Sequence, residues 1–438
     1  MISVIDDLDL ITHKLKSLQL KDNTKNNDQL YNYSNLPILS SIFQYLSLPD
    51  ILEISKASRF WYFKAIELKF KSIKPFYYPP PTSEFKRARQ TQASIEDWDS
   101  CLLEKCLTLI GKSSNFVNFI IIEKPSNIGV HSKLFSYFNN IQFLEFSEHL
   151  VNLENLILIL SKLNSLKVMM FKNTGFHNVN YLTELEAKPE LPDTLIGLEF
   201  VKASKLTEMS SELVEYLSSH RGLIKFSIPP YKKLLEPLEH TYSSLLHLNI
   251  SSLKALNSDY LEFIMLQNPQ LKSLILHSKQ VSRHILDTLT NNLYNLKMFE
   301  ILGDPLQNIP GLVEVSKCPN LTQFHLKVAT THSNVKQLIG LFPQLRELTL
   351  YDHIFPNSLD ELVDYVPLLK LLNLVKYRLE GINFDKLHKF NQLFVVHCYL
   401  LAPWDWDKNL AKTEEKYLNW KFKKDPNHLT IYSKTKLK

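Results

Sequence analysis

Leu345-Arg-Glu-Leu348-Thr-Leu350 and Leu369-Lys-Leu-Leu372-Asn-Leu374 decide how this chain is read. Both have the form apolar-x-x-apolar-x-apolar. Leu271-x-x-Leu274-x-Leu276 and Leu321-x-x-Phe324-x-Leu326 have it too. The unit recurs twelve times, with its first apolar position at 116, 141, 166, 195, 223, 245, 271, 296, 321, 345, 369 and 393. The last four steps are 25, 24, 24 and 24 residues. A short strand signal at a period in the twenties marks a solenoid of stacked units, each burying its apolar face only against its neighbours.

Between the strand signals lie helical patterns over 257–267, 281–294, 334–342 and 358–366, the last opening on the capping-box arrangement Ser358-Leu-Asp-Glu361. Pro269, Pro319, Pro343 and Pro367 each stand two residues before a strand's first leucine. A proline there ends the preceding helix and pre-sets an extended backbone. The pattern resembles a leucine-rich-repeat array. The expected fold class is therefore α/β: a leucine-rich-repeat solenoid of about twelve degenerate strand–helix repeats. The Asn or Cys usual eight residues after the first leucine is mostly missing. The steps near 195 and 223 are uneven, and Pro229, Pro230 and Pro237 interrupt one of them.

Composition excludes several classes of function. Only 9 of 438 residues are Gly, and no phosphate-cradling glycine motif occurs. The start, Met1-Ile-Ser-Val-Ile-Asp-Asp, lacks the basic region of a secretory signal. No apolar run is long enough for a membrane span, so no membrane partner is expected. Cys101, Cys106, Cys318 and Cys398 are scattered without C-x-x-C, which suits free buried thiols in a reducing cytoplasm or nucleus. The net charge of +5 sits at two places. Residues 64–90 hold seven basic and two acidic residues, and residues 405–438 hold nine lysines against five acids. The array between them is close to neutral, which argues against a nucleic-acid groove along it.

The N-terminal third reads differently. Residues 1–33 form an amphipathic stretch followed by a polar, flexible run. Residues 34–74 carry three short apolar-faced helical patterns. Pro75-Phe-Tyr-Tyr-Pro-Pro-Pro81 opens a proline-rich linker over 75–94. The solenoid with a helical N-terminal cap takes 95–400. A tail over 401–438 with Trp404, Trp406 and Trp420 is expected to cap its other end.

The stretch from Leu36-Pro-Ile-Leu through Ile42-Phe43, Tyr45-Leu46 and Leu48-Pro-Asp-Ile-Leu52 to Arg59-Phe-Trp61-Tyr62 resembles an F-box. The two residues usual between the opening Leu-Pro and the Ile-Leu are absent here. Paired with the repeats, the motif is similar to the F-box/leucine-rich-repeat family, a small all-α F-box ahead of a solenoid. That resemblance implies the substrate-recognition subunit of a Skp–cullin–F-box ubiquitin ligase. The Skp adaptor and cullin, together with a protein substrate, would then be its partners. The adaptor contacts it implies are Leu36, Pro37, Ile42, Leu46, Leu48, Pro49, Ile51, Leu52 and Trp61. A forty-residue helical unit is a marginal core by itself, which agrees with burial against a partner. A non-proteolytic scaffold of the same family, and a plain repeat protein whose first helices form only a cap, are the alternatives.

Residues between the core leucines point to the concave face. His277, Glu300, His325, Lys327, Tyr351, His397 and Tyr399 are the candidate substrate-binding residues there. Twelve strands span roughly 55 Å, enough for a protein partner. His277, His325 and His397 stand one or more repeats apart without the spacing of helical metal ligands. No nucleophile elbow or carboxylate pair stands out. The chain is expected to be a non-enzymatic adaptor without a cofactor.

Overall fold

The computed structural model of the chain describes residues 72–73, 117–123, 135, 137–138, 140–147, 150–177, 191–201, 216, 220–227, 232–251, 256–351, 359–376, 384–387, 389–399, 410, 413–424 and 428–433. The chain divides into two units, Met1–Ala65 and Ile66–Lys438. All described residues belong to the second. Every residue of the F-box-like motif lies outside them, as do Cys101, Cys106, Trp404, Trp406 and the capping residue Ser358.

The second unit is built on one 15-stranded sheet. Its parallel strands, in sequence and in space, are β1 (Ser72–Ile73), β2 (Phe119–Glu123), β3 (Phe143–Ser147), β5 (Val168–Lys172), β7 (Gly197–Val201), β8 (Lys225–Ser227) and β9 (His247–Asn249). The row continues with β10 (Ser273–His277), β11 (Met298–Leu302), β12 (Gln323–Leu326), β13 (Glu347–Tyr351), β14 (Leu371–Val375) and β15 (Val395–Tyr399). A separate small sheet pairs β4 (Leu150–Asn152) with β6 (Gly175–His177). An antiparallel hairpin of β16 (Trp420–Lys424) and β17 (Leu429–Ser433) finishes the main sheet, with β17 against β15.

The leucine-spaced unit sets this register. Ile141, Leu166, Leu195, Leu223, Leu245, Leu271, Leu296, Leu321, Leu345, Leu369 and Leu393 are buried, one per repeat. So are the second positions, which pair in an unbroken row that includes Leu248, Leu274, Phe299, Phe324, Leu348, Leu372 and Val396. The first repeat corrects the sequence frame by one residue. Phe119 pairs with Phe143, so the fully buried set is Val117, Ile120 and Ile122, one residue later than the frame that starts at 116. Phe119 instead faces outward and stacks on Phe143, with ring centroids 4.3 Å apart. The run Phe116-Val117 followed by Ile120-Ile121-Ile122 satisfies both frames, and sheet pairing chooses between them.

Backbone bonds fix each strand start to the previous one. The Thr322 carbonyl accepts from both Arg346 N–H and Glu347 N–H, at 2.8 and 3.0 Å. The Arg346 carbonyl does the same for Lys370 and Leu371. This shared-acceptor step recurs from Asn118 through Lys370. Polar side chains add cross-repeat ties where the asparagine of the usual pattern is missing. Buried Thr174 sits at that position and donates to the Phe146 carbonyl of the repeat before, at 2.9 Å. Gln280 accepts from His277 N–H and donates to the Ile250 carbonyl. Asn268 accepts from Tyr242 N–H and donates to the carbonyls of Leu238 and Ile264.

The returning segments are a mixture. α1 (Leu153–Leu160), α2 (Ser258–Gln267), α3 (Arg283–Asn292), α4 (His332–Gly340) and the one-turn α5 (Phe384–Leu387) are α-helical. Asn257, Ser282 and Thr331 cap α2, α3 and α4 with side-chain oxygens, satisfying N–H groups that have no partner within the helix. Elsewhere the return is a 3-10 turn, at Lys232–Glu239, Leu312–Glu314 and Leu359–Leu362. Pro237 stands within the first of these turns, and Pro305 and Pro310 lie between β11 and the second, where a missing N–H and a fixed φ oppose a longer helix. In place of the helix expected over 358–366 there is a shorter 3-10 turn, Leu359–Leu362.

Phenylalanines fill the covered side of the sheet. Phe146, Phe171 and Phe200 stack in sequence at 5.4 and 5.1 Å. Phe324 lies 5.7 Å from Phe299 and 5.1 Å from Phe342. At the C-terminal end Phe384 packs against Tyr417, Trp420 and Phe422. That aromatic cluster closes the last repeat under the hairpin. Cys318 and Cys398 are free and buried, and burial pushes the Cys398 thiol up to about 12. Among the described residues no helix is long and apolar enough to cross a membrane.

Candidate functional site

The sheet has one face packed on the core and one open face. The open face is a lattice, because parallel in-register strands bring equivalent outward residues side by side. Its central row runs Glu145, Met170, Glu199, Ser227, Asn249, Ile275, Glu300, His325, Thr349, Asn373 and His397. The hairpin extends it through Thr430 to Lys423.

The carboxylates of this row are each met by a lysine of the next strand or its exit. Lys172 lies 3.9 Å from Glu145, Lys225 2.8 Å from Glu199, and Lys327 2.8 Å from Glu300. The lysines are largely exposed while the glutamates are nearly covered. Such pairs contribute little to stability, about 1 kcal/mol at most. Their effect is to keep the acidic row locally neutral.

Between β12 and β14 the row becomes a hydrogen-bonded network. His325 Nδ1 is 2.6 Å from the Thr349 hydroxyl. Asn373 donates to that same hydroxyl oxygen at 3.1 Å and to Glu347 at 3.3 Å. Gln323 donates to the other Glu347 oxygen at 3.0 Å. The Thr349 hydroxyl has two acceptor lone pairs and one proton, so it accepts from Asn373 and still has capacity for the His325 bond. Burial holds the His325 pKa below the ordinary histidine range; Glu300 and Glu347 oppose that shift and Lys327 adds to it.

Of the seven outward residues expected from the sequence, six lie on the open face or its rim. Glu300, His325 and His397 are in the central row. Lys327 follows β12, and Tyr351 and Tyr399 end β13 and β15. Tyr399 is exposed, whereas Glu300 is nearly covered by its lysine. His277 is a correction. It is only 3% exposed, and its ring turns inward over Gly303. Its Nδ1 accepts from Lys279 N–H, capping the 3-10 turn Ser278–Gln280. The last residue of β10 thus serves the turn that leaves the strand and presents no ring to a partner. The nine F-box positions, Leu36 to Trp61, lie outside the described residues.

The C-terminal end of the face holds residues that the leucine pattern does not announce. His397, Tyr399 and His428 form an aromatic cluster with centroids 5.2 to 6.4 Å apart. Lys376 lies 4.6 Å over the Tyr351 ring. The hairpin adds Lys421, Lys423 and Tyr432. The leucine unit ends at Cys398, so only the alternation Trp420-Lys421-Phe422-Lys423 marks this extra strand in the sequence.

A groove of about 610 Å³ lies where β10 and β11 give way to their turns, between Ser278–His284 and Asp304–Pro310. Its floor is apolar, from Val281, Leu306 and Ile309. Its charges pair locally: Lys279 with Asp304 at 3.0 Å, and Arg283 with Glu314 at 2.6 Å. Among the described residues no cluster of three or more His, Cys, Asp or Glu could hold a metal ion.

No protein-family model matches the sequence, and no curated protein matches it. Among solved structures the chain is similar to an internalin, inlF, from Listeria monocytogenes. The identity is 15% and the TM-score 0.34, over 65% of this chain and 72% of that one. It is also similar to the structure of the Rad7 and Elc1 complex in yeast. There the identity is 15% and the TM-score 0.37, over 77% of this chain and 97% of that one. Likenesses this distant carry no functional argument, and the repeat architecture rests on the register of the chain itself.

Proposed function

We propose that this chain is the non-catalytic substrate receptor of a Skp–cullin–F-box ubiquitin ligase. In this reading the motif from Leu36 to Trp61 docks on the Skp adaptor, and the open face of the sheet holds a protein substrate. The observation that supports it most is the combination in one chain of an F-box-like motif and a long sheet whose outward side chains form a single continuous face. An extended row of mostly polar side chains with aromatic residues at one end suits a protein surface better than a small substrate, which calls for an enclosed apolar pocket. The same chain without cullin would be a scaffold.

Co-purification of the full-length chain with the Skp adaptor and cullin tests the proposal, wild type against Leu48→Asp/Pro49→Ala. The receptor reading requires both partners with the wild type and neither with the variant. Adaptor without cullin would replace it by the scaffold. Failure of a folded wild-type chain to hold the adaptor would overturn both.

A further inference from the structure

The rim where the strands begin carries a second row of side chains, one residue after each repeat's first leucine. Ile224 N–H donates to the Ile196 carbonyl, Leu246 to Ile224 and Lys272 to Leu246, at 2.8 to 2.9 Å. The same bonds go on through Lys297, Thr322 and Arg346 to Lys370, at 2.8 to 3.0 Å. The bonded residues therefore stand side by side, one inter-strand spacing apart. All are exposed or half-buried. Lys167 and Phe394 follow at the two ends of the row. The row divides in two. Ile196, Ile224 and Leu246 are apolar, and Ile196 is 37% exposed. Lys272 and Lys297 form one pair of neighbouring cations and Arg346 and Lys370 another, with Thr322 between the pairs. Among the described residues, no ion pair or hydrogen bond engages any of these four side chains. The acids nearest to them in sequence are all described. Glu262 is bonded to His284 and Thr288, Glu300 to Lys327, and Glu347 to Gln323 and Asn373. Asp364 precedes Lys370 by six residues and does not pair with it. Neighbouring like charges on adjacent strands repel. His247, at the start of β9, registers the field: after burial, Lys225 and Lys272 are the causes of its lowered pKa.

We infer that this rim docks an extended segment of a protein partner, apolar at one end and acidic along the rest. The apolar part of the row crosses two inter-strand spacings, about 10 Å, and the cationic part four, about 19 Å. The whole row from Ile196 to Lys370 spans about 34 Å. An extended segment of about ten residues covers that distance. Carboxylates over the two cation pairs relieve their mutual repulsion. The branched side chains at the other end lose water-exposed area against apolar residues of the partner. A nucleic-acid strand matches only the cationic part. Its next phosphates would lie over Leu246, Ile224 and Ile196, which offer neither a cation nor a ring for a base to stack on. The change from apolar to cationic along one row thus favours a protein segment. The rim borders the open face and is separate from its central row, and the inference stands whether or not the chain holds the Skp adaptor.

The test is fluorescence anisotropy of the full-length chain with labelled probes. Two peptides carry three leucines, at the N-terminal end in one and the C-terminal end in the other, with Asp and Ser alternating along the rest. The controls are the same peptides with Asn for Asp, and a thymidine oligonucleotide of equal charge. One of the two leucine–aspartate peptides binds best, and its affinity falls as salt rises. Lys272→Glu/Lys297→Glu, both at exposed positions, weakens it by more than about tenfold. Ile196→Asp, at the most exposed apolar position of the row, weakens it by about threefold or more. Circular dichroism shows both variants folded. Failure of both leucine–aspartate peptides to bind, equal binding of the Asn controls, or preference for the oligonucleotide would each overturn the inference. So would undiminished binding by either folded variant.

Discussion

His325 on β12 and Thr349 on β13 are joined through Nδ1 and Oγ1 at 2.6 Å, one strand apart in the central row of the open face. Their bond ties an ionisable ring to a network that reaches Asn373, Glu347 and Gln323. The ring is half-buried, and that burial is the main reason its pKa is lowered. His247 is lowered for the same first reason, with Lys225 and Lys272 adding to it.

This couples stability to pH with a definite sign. The unfolded chain protonates these rings at the ordinary value of about 6.5, and the folded chain only at lower pH. In that window the unfolded state holds more protons, so stability rises with pH. The contribution is complete above about 6.5 and is lost as pH falls through the lowered folded values. Urea midpoints measured across this range should therefore drop on acidification. His325→Gln should flatten part of the slope; an unchanged slope in that variant would show that His325 is not coupled to folding.

Asn268 is fully buried between two repeats, and its amide serves Tyr242, Leu238 and Ile264. Asn268→Leu keeps the branched outline of the side chain and leaves these backbone groups without a partner. A loss of about 2–4 kcal/mol in urea unfolding is expected. A loss below that of an ordinary surface substitution would mean that the groups find water instead.

Phe324→Ala removes a fully buried ring that touches Phe299 and Phe342. The expected cost is about 3–5 kcal/mol. Because each repeat contacts mainly its neighbours, the damage should be local. Hydrogen exchange should speed up in β11, β12 and β13 and change little in β3 and β5. Uniform acceleration along the sheet would show that the array opens as one unit.

Gly303 has φ +105°, and a Cβ there would run into the His277 ring. Gly303→Ala suffers backbone strain and a steric clash together, with about 1–3 kcal/mol from the backbone. His277→Ala removes the clash and leaves the strain. Thermal unfolding of the two single variants and the double variant should therefore show Gly303→Ala costing less when His277 is already Ala. Strict additivity would mean that the ring moves aside freely.

The repeat frame could be read from Leu271, Leu321, Leu345 and Leu369 because their spacing is nearly constant and strand alternation has a period of two. It failed by one residue at Val117, where apolar residues run together and local pattern cannot choose a phase. Of the outward residues, His277 was misplaced for a different reason. Its direction is set by the turn that follows it and by the absence of a Cβ at Gly303, a residue one repeat later. Lys421, Lys423 and Tyr432 join the face through antiparallel pairing over a long sequence distance, which no leucine spacing encodes. Thr174 shows the converse: at the position where the usual pattern has asparagine, a threonine hydroxyl ties its repeat to the Phe146 carbonyl of the repeat before.

The carbonyl that receives two N–H groups at each strand start has a consequence for how such a chain changes over time. Each strand is aligned against the strand beside it, not against the number of residues between them. Twenty-two residues separate Leu223 from Leu245 and twenty-nine separate Leu166 from Leu195, yet the outward row passes through both intervals without a slip. Insertions and deletions in the returning segments are thus decoupled from the surface lattice. The face can be revised one side chain at a time while the linkers drift, so two such proteins could share a recognition surface and little recognisable length pattern.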